Sequence, residues 1–328
     1  MPAPVKYLLT GDIGVITIDH PPVNALSLAV RQGIMDGLDA AAWDSSKAVL
    51  IICKGRTFCA GADISEFGKP PEEPWLPAVV NRIEAFDKPV VAALHGTALG
   101  GGLEVALGAH YRCALASAKI GLPEVRLGLL PGAGGTQRTP RLAGVEAALD
   151  LMTSGIPISA SVALSAGLVD RVFDDDLEGA AMAWAGELVS DGAGPRRASE
   201  LPVPAHDAGI FDRYRARLAA KARGQVAPQA IVDCVEKAAT TDFADGEAFE
   251  RKRFMELMAG EQSAALRHFF FAEREAAKVD GLDKQTPTRP INSVGIIGGG
   301  TMGGGIAMSF ANAGLAVTLI EINDEALD

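Results

Sequence analysis

KPVVAALHGTALGGGLEVALG, residues 88–108, is the stretch from which the fold can be read. Its first part, KPVVAALHG at 88–96, is a short apolar run of strand type. The glycine triplet Gly100–Gly102 follows, and then a helix carrying Glu104 in its first turn. A helix start leaves backbone N–H groups without intrahelical partners, and the helix dipole favours negative charge there. Clustered glycine also marks backbone that turns sharply or lets a ligand come close. Two such donors, one from each of two loops, would make an oxyanion hole for a carbonyl. Losing one donor of that kind typically costs roughly 3–4 kcal/mol of barrier.

Outward from this stretch the chain keeps alternating strand and helix. VKYLLT and GVITIDH, within residues 5–20, read as two strands around a Gly-Asp turn, and AVLIIC at 48–53 as a third. A helix is predicted from about Leu28 to Ala42 with Ser27 as N-cap. A Gly/Pro-rich loop at 55–77 leads into a helix ending near Phe86. The alternation continues to Val172, which predicts a layered α/β domain; its irregular repeat does not support a closed barrel of eight units. From about Asp174 the pattern becomes helical, with segments 206–223, 229–239, 243–259 and 261–279 punctuated by Gly224, Pro228, Gly246 and Gly260. QTPTRP at 285–290 reads as a linker.

With 328 residues, 48% hydrophobic and 22% charged, the chain can bury a sizeable core and is read as two domains, or one with an appendage. The formal net charge of −11 argues against nucleic acid or an anionic membrane as the main partner, though one basic pocket would suffice for an anionic substrate. Four cysteines, Cys53, Cys59, Cys113 and Cys234, show no paired or metal-ligand spacing and are expected to be buried free thiols; no metal site is expected. The start has no basic region followed by an apolar stretch. The most apolar long segment, Ala98 to Ala118, contains Glu104, His110 and Arg112, which speaks against a membrane span. A soluble intracellular protein is expected.

Three segments carry chemistry: FCAGADI at 58–64, ALGGGLE at 98–104 and GLPEVRLGLLPGAGGTQR at 121–138. Glu104 and Glu124 both stand in apolar surroundings, and two carboxylates converging on one site can work as an acid–base pair. Taken singly, Glu104 also fits a residue complementing the helix dipole, Glu124 a surface loop residue, and the glycines plain turns.

Together these segments resemble the crotonase (enoyl-CoA hydratase/isomerase) superfamily over residues from about 5 to 260. The resemblance implies a ClpP-like spiral of ββα units and an acyl-CoA substrate. It places oxyanion donors at Ala62 and Gly101, the catalytic glutamates at Glu104 and Glu124, and a water-positioning N–H at Gly132. Carbonyls of Ala60, Ala62 and Ile64 would surround the CoA adenine; Arg56 would touch a CoA phosphate or the adenine edge, or is simply solvated. Hydratases of this family have both glutamates, whereas isomerases usually depend on the equivalent of Glu124. The expected reaction is therefore hydration of a 2-enoyl-CoA, without a cofactor. The alternatives are Δ3-Δ2 isomerisation and a non-catalytic acyl-CoA or dinucleotide binding module.

Residues 294–321 hold a second motif, G-x-G-x-x-G at Gly298, Gly300 and Gly303, after the strand SVGII, with Glu321 ending the next strand. That context is the dinucleotide fingerprint, the acid being placed for ribose hydroxyls. It resembles the start of an L-3-hydroxyacyl-CoA dehydrogenase domain, and residues 251–278 resemble the linker helices of type 1 multifunctional β-oxidation enzymes. The expected organisation is a crotonase core at 1–205, a helical extension and linker at 206–290, and an incomplete NAD-binding Rossmann βαβ unit at 291–328. This predicts a fragment of a longer enzyme, with NAD serving the full-length dehydrogenase part only. Cytoplasmic localisation is expected, or peroxisomal for a eukaryotic source, and monomer and oligomer both stay open.

Overall fold

The computed structural model describes residues 3–70, 72–276, 278–279, 281–282 and 286–324. The chain divides into two units, Met1–Glu273 and Arg274–Asp328.

The first unit is built on β1 (Val5–Thr10), β2 (Ile13–Ile18), β3 (Ala48–Cys53) and β4 (Val90–Leu94). A short strand β5 (Thr97–Leu99) is followed by β6 (Tyr111–Leu115), β7 (Lys119–Gly121), β8 (Ile158–Ser159) and β9 (Arg171–Phe173). Six of them form one sheet in the order β1-β2-β3-β4-β6-β9, parallel except for the β1–β2 hairpin. β5, β7 and β8 form a second, small sheet.

The sequence of β3 explains its place. All six residues of AVLIIC are buried, as expected of a parallel strand covered on both faces. Side chains alternate across a strand: Val49, Ile51 and Cys53 enter one core, Ala48, Leu50 and Ile52 the other. Helix α1 (Leu28–Trp43) covers the first face with Val30, Ile34, Leu38 and Ala41 at helical spacing. It is joined there by α2 (Leu76–Glu84), α3 (Gly101–Gly108), α4 (Gly135–Ala143), α5 (Val145–Ser154) and α6 (Ala160–Ser165). Helix α7 (Leu177–Ser190) covers the opposite face with Leu177, Ala181, Trp184, Ala185 and Leu188.

The predicted N-cap holds in position and fails in chemistry. Ser27 is extended at the α1 start, but its side chain makes no cap bond. The Leu28 N–H instead donates to Glu66 Oε1 at 3.0 Å, so a carboxylate from a neighbouring loop has displaced the local hydroxyl. The four cysteines are all buried and free, as expected.

The helical stretch continues as α8 (Ile210–Lys221), α9 (Ala227–Thr240), α10 (Phe243–Ala259) and α11 (Glu261–Ala276). Helix α9 packs on α4 and α5, and α10 on α4 and α9. Of the expected linker, Gln285 lies outside the described residues and 286–290 form neither helix nor strand. The second unit holds β10 (Ser293–Ile297), α12 (Thr301–Asn312) and β11 (Ala316–Ile320), with β10 and β11 parallel. Among its described residues only Ile296 is buried.

Candidate active site

The three segments converge through backbone pairing. FCAGADI runs beside β5: Cys59 N–H donates to the Thr97 carbonyl at 3.1 Å, and Leu99 N–H to the Cys59 carbonyl at 3.0 Å. Gly61 is fixed from the other side, its carbonyl accepting from Leu26 N–H at 3.0 Å. Gly101 thereby comes to lie against Ala62; a Cβ on Gly101 would stand 3.2 Å from the Ala62 nitrogen. Neither the Ala62 nor the Gly101 N–H donates to any acceptor among the described residues. Two uncommitted donors side by side, one of them opening α3, form a pocket suited to a developing oxyanion.

Gly100 shows why the triplet is glycine. It adopts φ +53°, and a Cβ there would stand 2.8 Å from Glu124 Oε1. Any side chain would push Glu124 off the site. Glu124 opens a short 3-10 turn (Glu124–Leu127) after Pro123. As a residue it is half-buried, but its Oε2 is shielded and has no partner among the described residues.

Glu104 is buried within α3. Its Oε1 accepts from Ala133 N–H at 2.7 Å and from Gly135 N–H at 3.0 Å. The turn supplying these donors is shaped by Gly134, at φ +88°, where a Cβ would run into the Arg138 guanidinium. Arg138 is fully buried; it donates to the Ala133 carbonyl at 3.3 Å, to Asn81 Oδ1 at 2.7 Å and to Glu84 Oε2 at 2.6 Å.

Electrostatics separates the two carboxyls. Burial raises Glu104 to about 7, against the pull of the Ala133 and Gly135 N–H groups and the Arg138 charge. Burial, and then the neighbouring charge of Glu104, hold Glu124 well above the carboxylate range. Two nearby carboxyls that cannot both ionise easily are suited to acid and base roles.

The remaining expected positions are spread differently. Gly132 lies one residue before the Glu104-binding turn, packed under the Phe254 ring, and its N–H donates to no described acceptor. Ala60 is exposed, while Ala62 and Ile64 are half-buried. The Ile64 carbonyl already accepts from Phe67 N–H at 3.1 Å. Arg56 is exposed and makes no ion pair among the described residues. No cluster of metal-ligating side chains exists among the described residues.

In the second unit, the glycine loop fits a dinucleotide. Gly298 is at φ +93°, a Cβ on Gly303 would run into the Gly298 carbonyl, and Glu321 accepts from Gly299 N–H. Such a loop lets backbone donors approach a pyrophosphate, with an acid beside it for the ribose.

Two stretches of the chain match known families. Residues 10–199 match the enoyl-CoA hydratase/isomerase family, and 293–328 match the NAD binding domain of 3-hydroxyacyl-CoA dehydrogenase. The chain belongs to the enoyl-CoA hydratase/isomerase family. It is 43% identical to the peroxisomal bifunctional enzyme of Danio rerio over 98% of this chain and 46% of that protein. The Homo sapiens peroxisomal bifunctional enzyme is 41% identical over 96% and 45%. The chain thus spans about half the length of these relatives. Among solved structures, an enoyl-CoA hydratase subunit of Geobacillus kaustophilus is 31% identical with a TM-score of 0.53, covering 86% of this chain and 98% of that one. A carnitinyl-CoA dehydratase of Mycobacterium avium is 28% identical with a TM-score of 0.59, over 80% and 94%. The crotonase fold expected from the sequence is therefore present.

Sequence reasoning missed Glu250. This α10 residue is buried, and Oε1 accepts from Gly134 N–H at 2.7 Å while Oε2 accepts from Thr136 N–H at 2.9 Å and Thr136 Oγ1 at 2.5 Å. A signal existed: Gly246, Glu250 and Phe254 recur at i, i+4, i+8 on one helix face. Glu250 stands in the charged run ERKR at 250–253, a composition that by itself fits a solvated face.

Proposed function

We propose that this chain hydrates trans-2-enoyl-CoA thioesters to 3-hydroxyacyl-CoA, the hydration step of fatty acid β-oxidation. The observation carrying the proposal is the convergence of two buried carboxyls, Glu104 and Glu124, with two uncommitted N–H groups at Ala62 and Gly101. The thioester carbonyl would sit on those N–H groups, which stabilise the enolate oxygen as water adds at C3. Glu104 in its ionised form, which the Ala133 and Gly135 N–H groups favour against burial, takes the proton of the attacking water. Glu124, kept protonated by burial, gives its proton to C2. The proton on Glu104 then returns to Glu124, so one water is consumed and both acids are restored.

The reaction uses only water and the thioester, so no cofactor is assigned to it. The Gly132 N–H serves as a further water-positioning donor. The CoA adenine lies along the carbonyls of Ala60, Ala62 and Ile64, with Arg56 at its phosphates. NAD, with ribose contacts from Glu321 and pyrophosphate contacts from the loop at Gly298, Gly300 and Gly303, is assigned to dehydrogenase chemistry in a longer polypeptide. Crotonase core, helical extension and NAD-binding start are taken as 1–205, 206–290 and 291–328; the location is cytoplasmic, or peroxisomal for a eukaryotic source, as the names of the relatives suggest.

The test is loss of crotonyl-CoA enoyl absorbance. Glu104→Gln and Glu124→Gln should each lower kcat by about 10²–10⁴-fold; wild-type-like turnover in either variant counts against the scheme. Isomerisation gives a separate pattern. Glu124→Gln should abolish conversion of a 3-enoyl-CoA, whereas Glu104→Gln should spare it.

A further inference from the structure

The turn that opens α4 divides its donors in an ordered way. Ala133 and Gly135 N–H point to Glu104, and Gly134 and Thr136 N–H point to Glu250. Successive amides thus alternate between a carboxylate from α3 and one from α10. Glu250 is held by three donors, including Thr136 Oγ1, and Phe254 on the same helix lies over Gly132. Helix α10 therefore grips the turn on which Glu104 depends.

We propose that Glu250 is a positioning residue for hydration: by clamping Gly134 and Thr136, it fixes where the Ala133 and Gly135 amides, and so the Glu104 carboxylate, point. The kinetic part of this inference rests on the hydratase reading. The simpler role of Glu250 is to cap α4, complementing its N-terminal dipole. Capping alone would stabilise the fold without touching the chemistry. The arrangement says more, because the two carboxylates share one rigid turn and Glu250 feels the charge of Glu104.

The titratable and charged groups around Glu250 are Glu104 from α3, Glu124 from the 3-10 turn, the buried Cys234 thiol from α9 and Arg251 on its own helix. Burial and the charge on Glu104 push Glu250 up, and the Thr136 and Gly134 donors oppose this. The three hydrogen bonds to Glu250 are all donated to it and favour its ionised form, but burial still raises its carboxyl to about 8. Its replacement alters the turn that supplies the Ala133 and Gly135 donors to Glu104.

Two variants of the full chain test the inference: Glu250→Gln, which keeps size and loses charge, and Thr136→Val, which keeps shape and loses one donor. In crotonyl-CoA hydration, Glu250→Gln should lower kcat at least about tenfold while KM changes less than about twofold. Thr136→Val should move kcat in the same direction by less. Carboxyl 13C NMR should show the Glu104 titration displaced in Glu250→Gln relative to the wild type, because the Ala133 and Gly135 donors move with the turn. Unchanged kcat together with an unmoved Glu104 titration would overturn the proposal. If Glu250→Gln does not fold, Thr136→Val decides on both measurements: a lower kcat and a shifted Glu104 titration support the clamp, and wild-type values for both refute it. Absence of wild-type hydration would sink the hydratase reading alone, because the NMR measurement still decides whether Glu250 sets the state of Glu104.

Discussion

Glu104 was legible as a residue out of place, a carboxylate inside LGGGLEVAL, but its partners were not. The resemblance placed a water-positioning N–H at Gly132, and nothing in the sequence named a donor to the carboxylate itself. The structure puts Ala133 and Gly135 on the carboxylate. Their turn is shaped by φ +88° at Gly134, which no spacing rule reports. Burial of Glu104 also has a thermodynamic sign. Its carboxyl is raised from 4.5 to about 7 in the folded chain, so between those values the folded state binds more protons than the unfolded one. Stability contributed by this group is present at low pH and is lost as pH rises toward 7. Glu104→Gln, which has no proton to lose, should therefore gain stability relative to wild type from about pH 4.5 to about pH 7, by about 1 kcal/mol per pH unit where the slope is steepest. Denaturant titrations at several pH values would read this; a constant difference would show that the carboxyl is not raised.

At the scale of elements, strand and helix types were legible because burial patterns follow period 2 and period 3.6 so closely. AVLIIC divides its side chains between two cores, and α1 turns a single stripe inward. Pairing across the chain was less legible. The alignment of FCAGADI with β5 depends on Gly102, where a Cβ would lie 2.7 Å from both the Cys59 Cβ and its carbonyl oxygen. Gly102→Ala must therefore force α3 away from residues 59–62 and open the gap between the Ala62 and Gly101 amides. Overpacking of this kind costs about 1–3 kcal/mol of stability. The hydration rate should fall further than that loss of folded protein explains, by at least about tenfold, since one displaced oxyanion donor costs about 10²–10³-fold. A variant that melts lower yet keeps its kcat would separate the glycine from the oxyanion site.

On the scale of the whole molecule, the two motifs had been read as separate pieces of chemistry, and the chain does divide into two units. They differ sharply in how much apolar surface they bury. The first holds two hydrophobic cores; among the described residues of the second only Ile296 is buried, while Ile297, Met302 and Met308 are exposed. A two-stranded sheet with one helix and so little burial opens easily. Limited proteolysis should cut within residues 274–324 well before the first unit, leaving crotonyl-CoA hydration within about twofold of the uncut rate, as expected if that segment contributes to neither binding nor chemistry. Loss of hydration in step with that cleavage would tie the second unit to the site.

The bond from Gly134 to Glu250 spans 116 residues, and this long reach has a consequence for the order of assembly. A growing chain emerging from the ribosome can lay down the six-stranded sheet once β9 is made. Its catalytic turn still lacks half of its acceptors until α10 follows. On the Glu250 proposal, competence for chemistry arrives later than compactness, and α10 is the part that finishes the site.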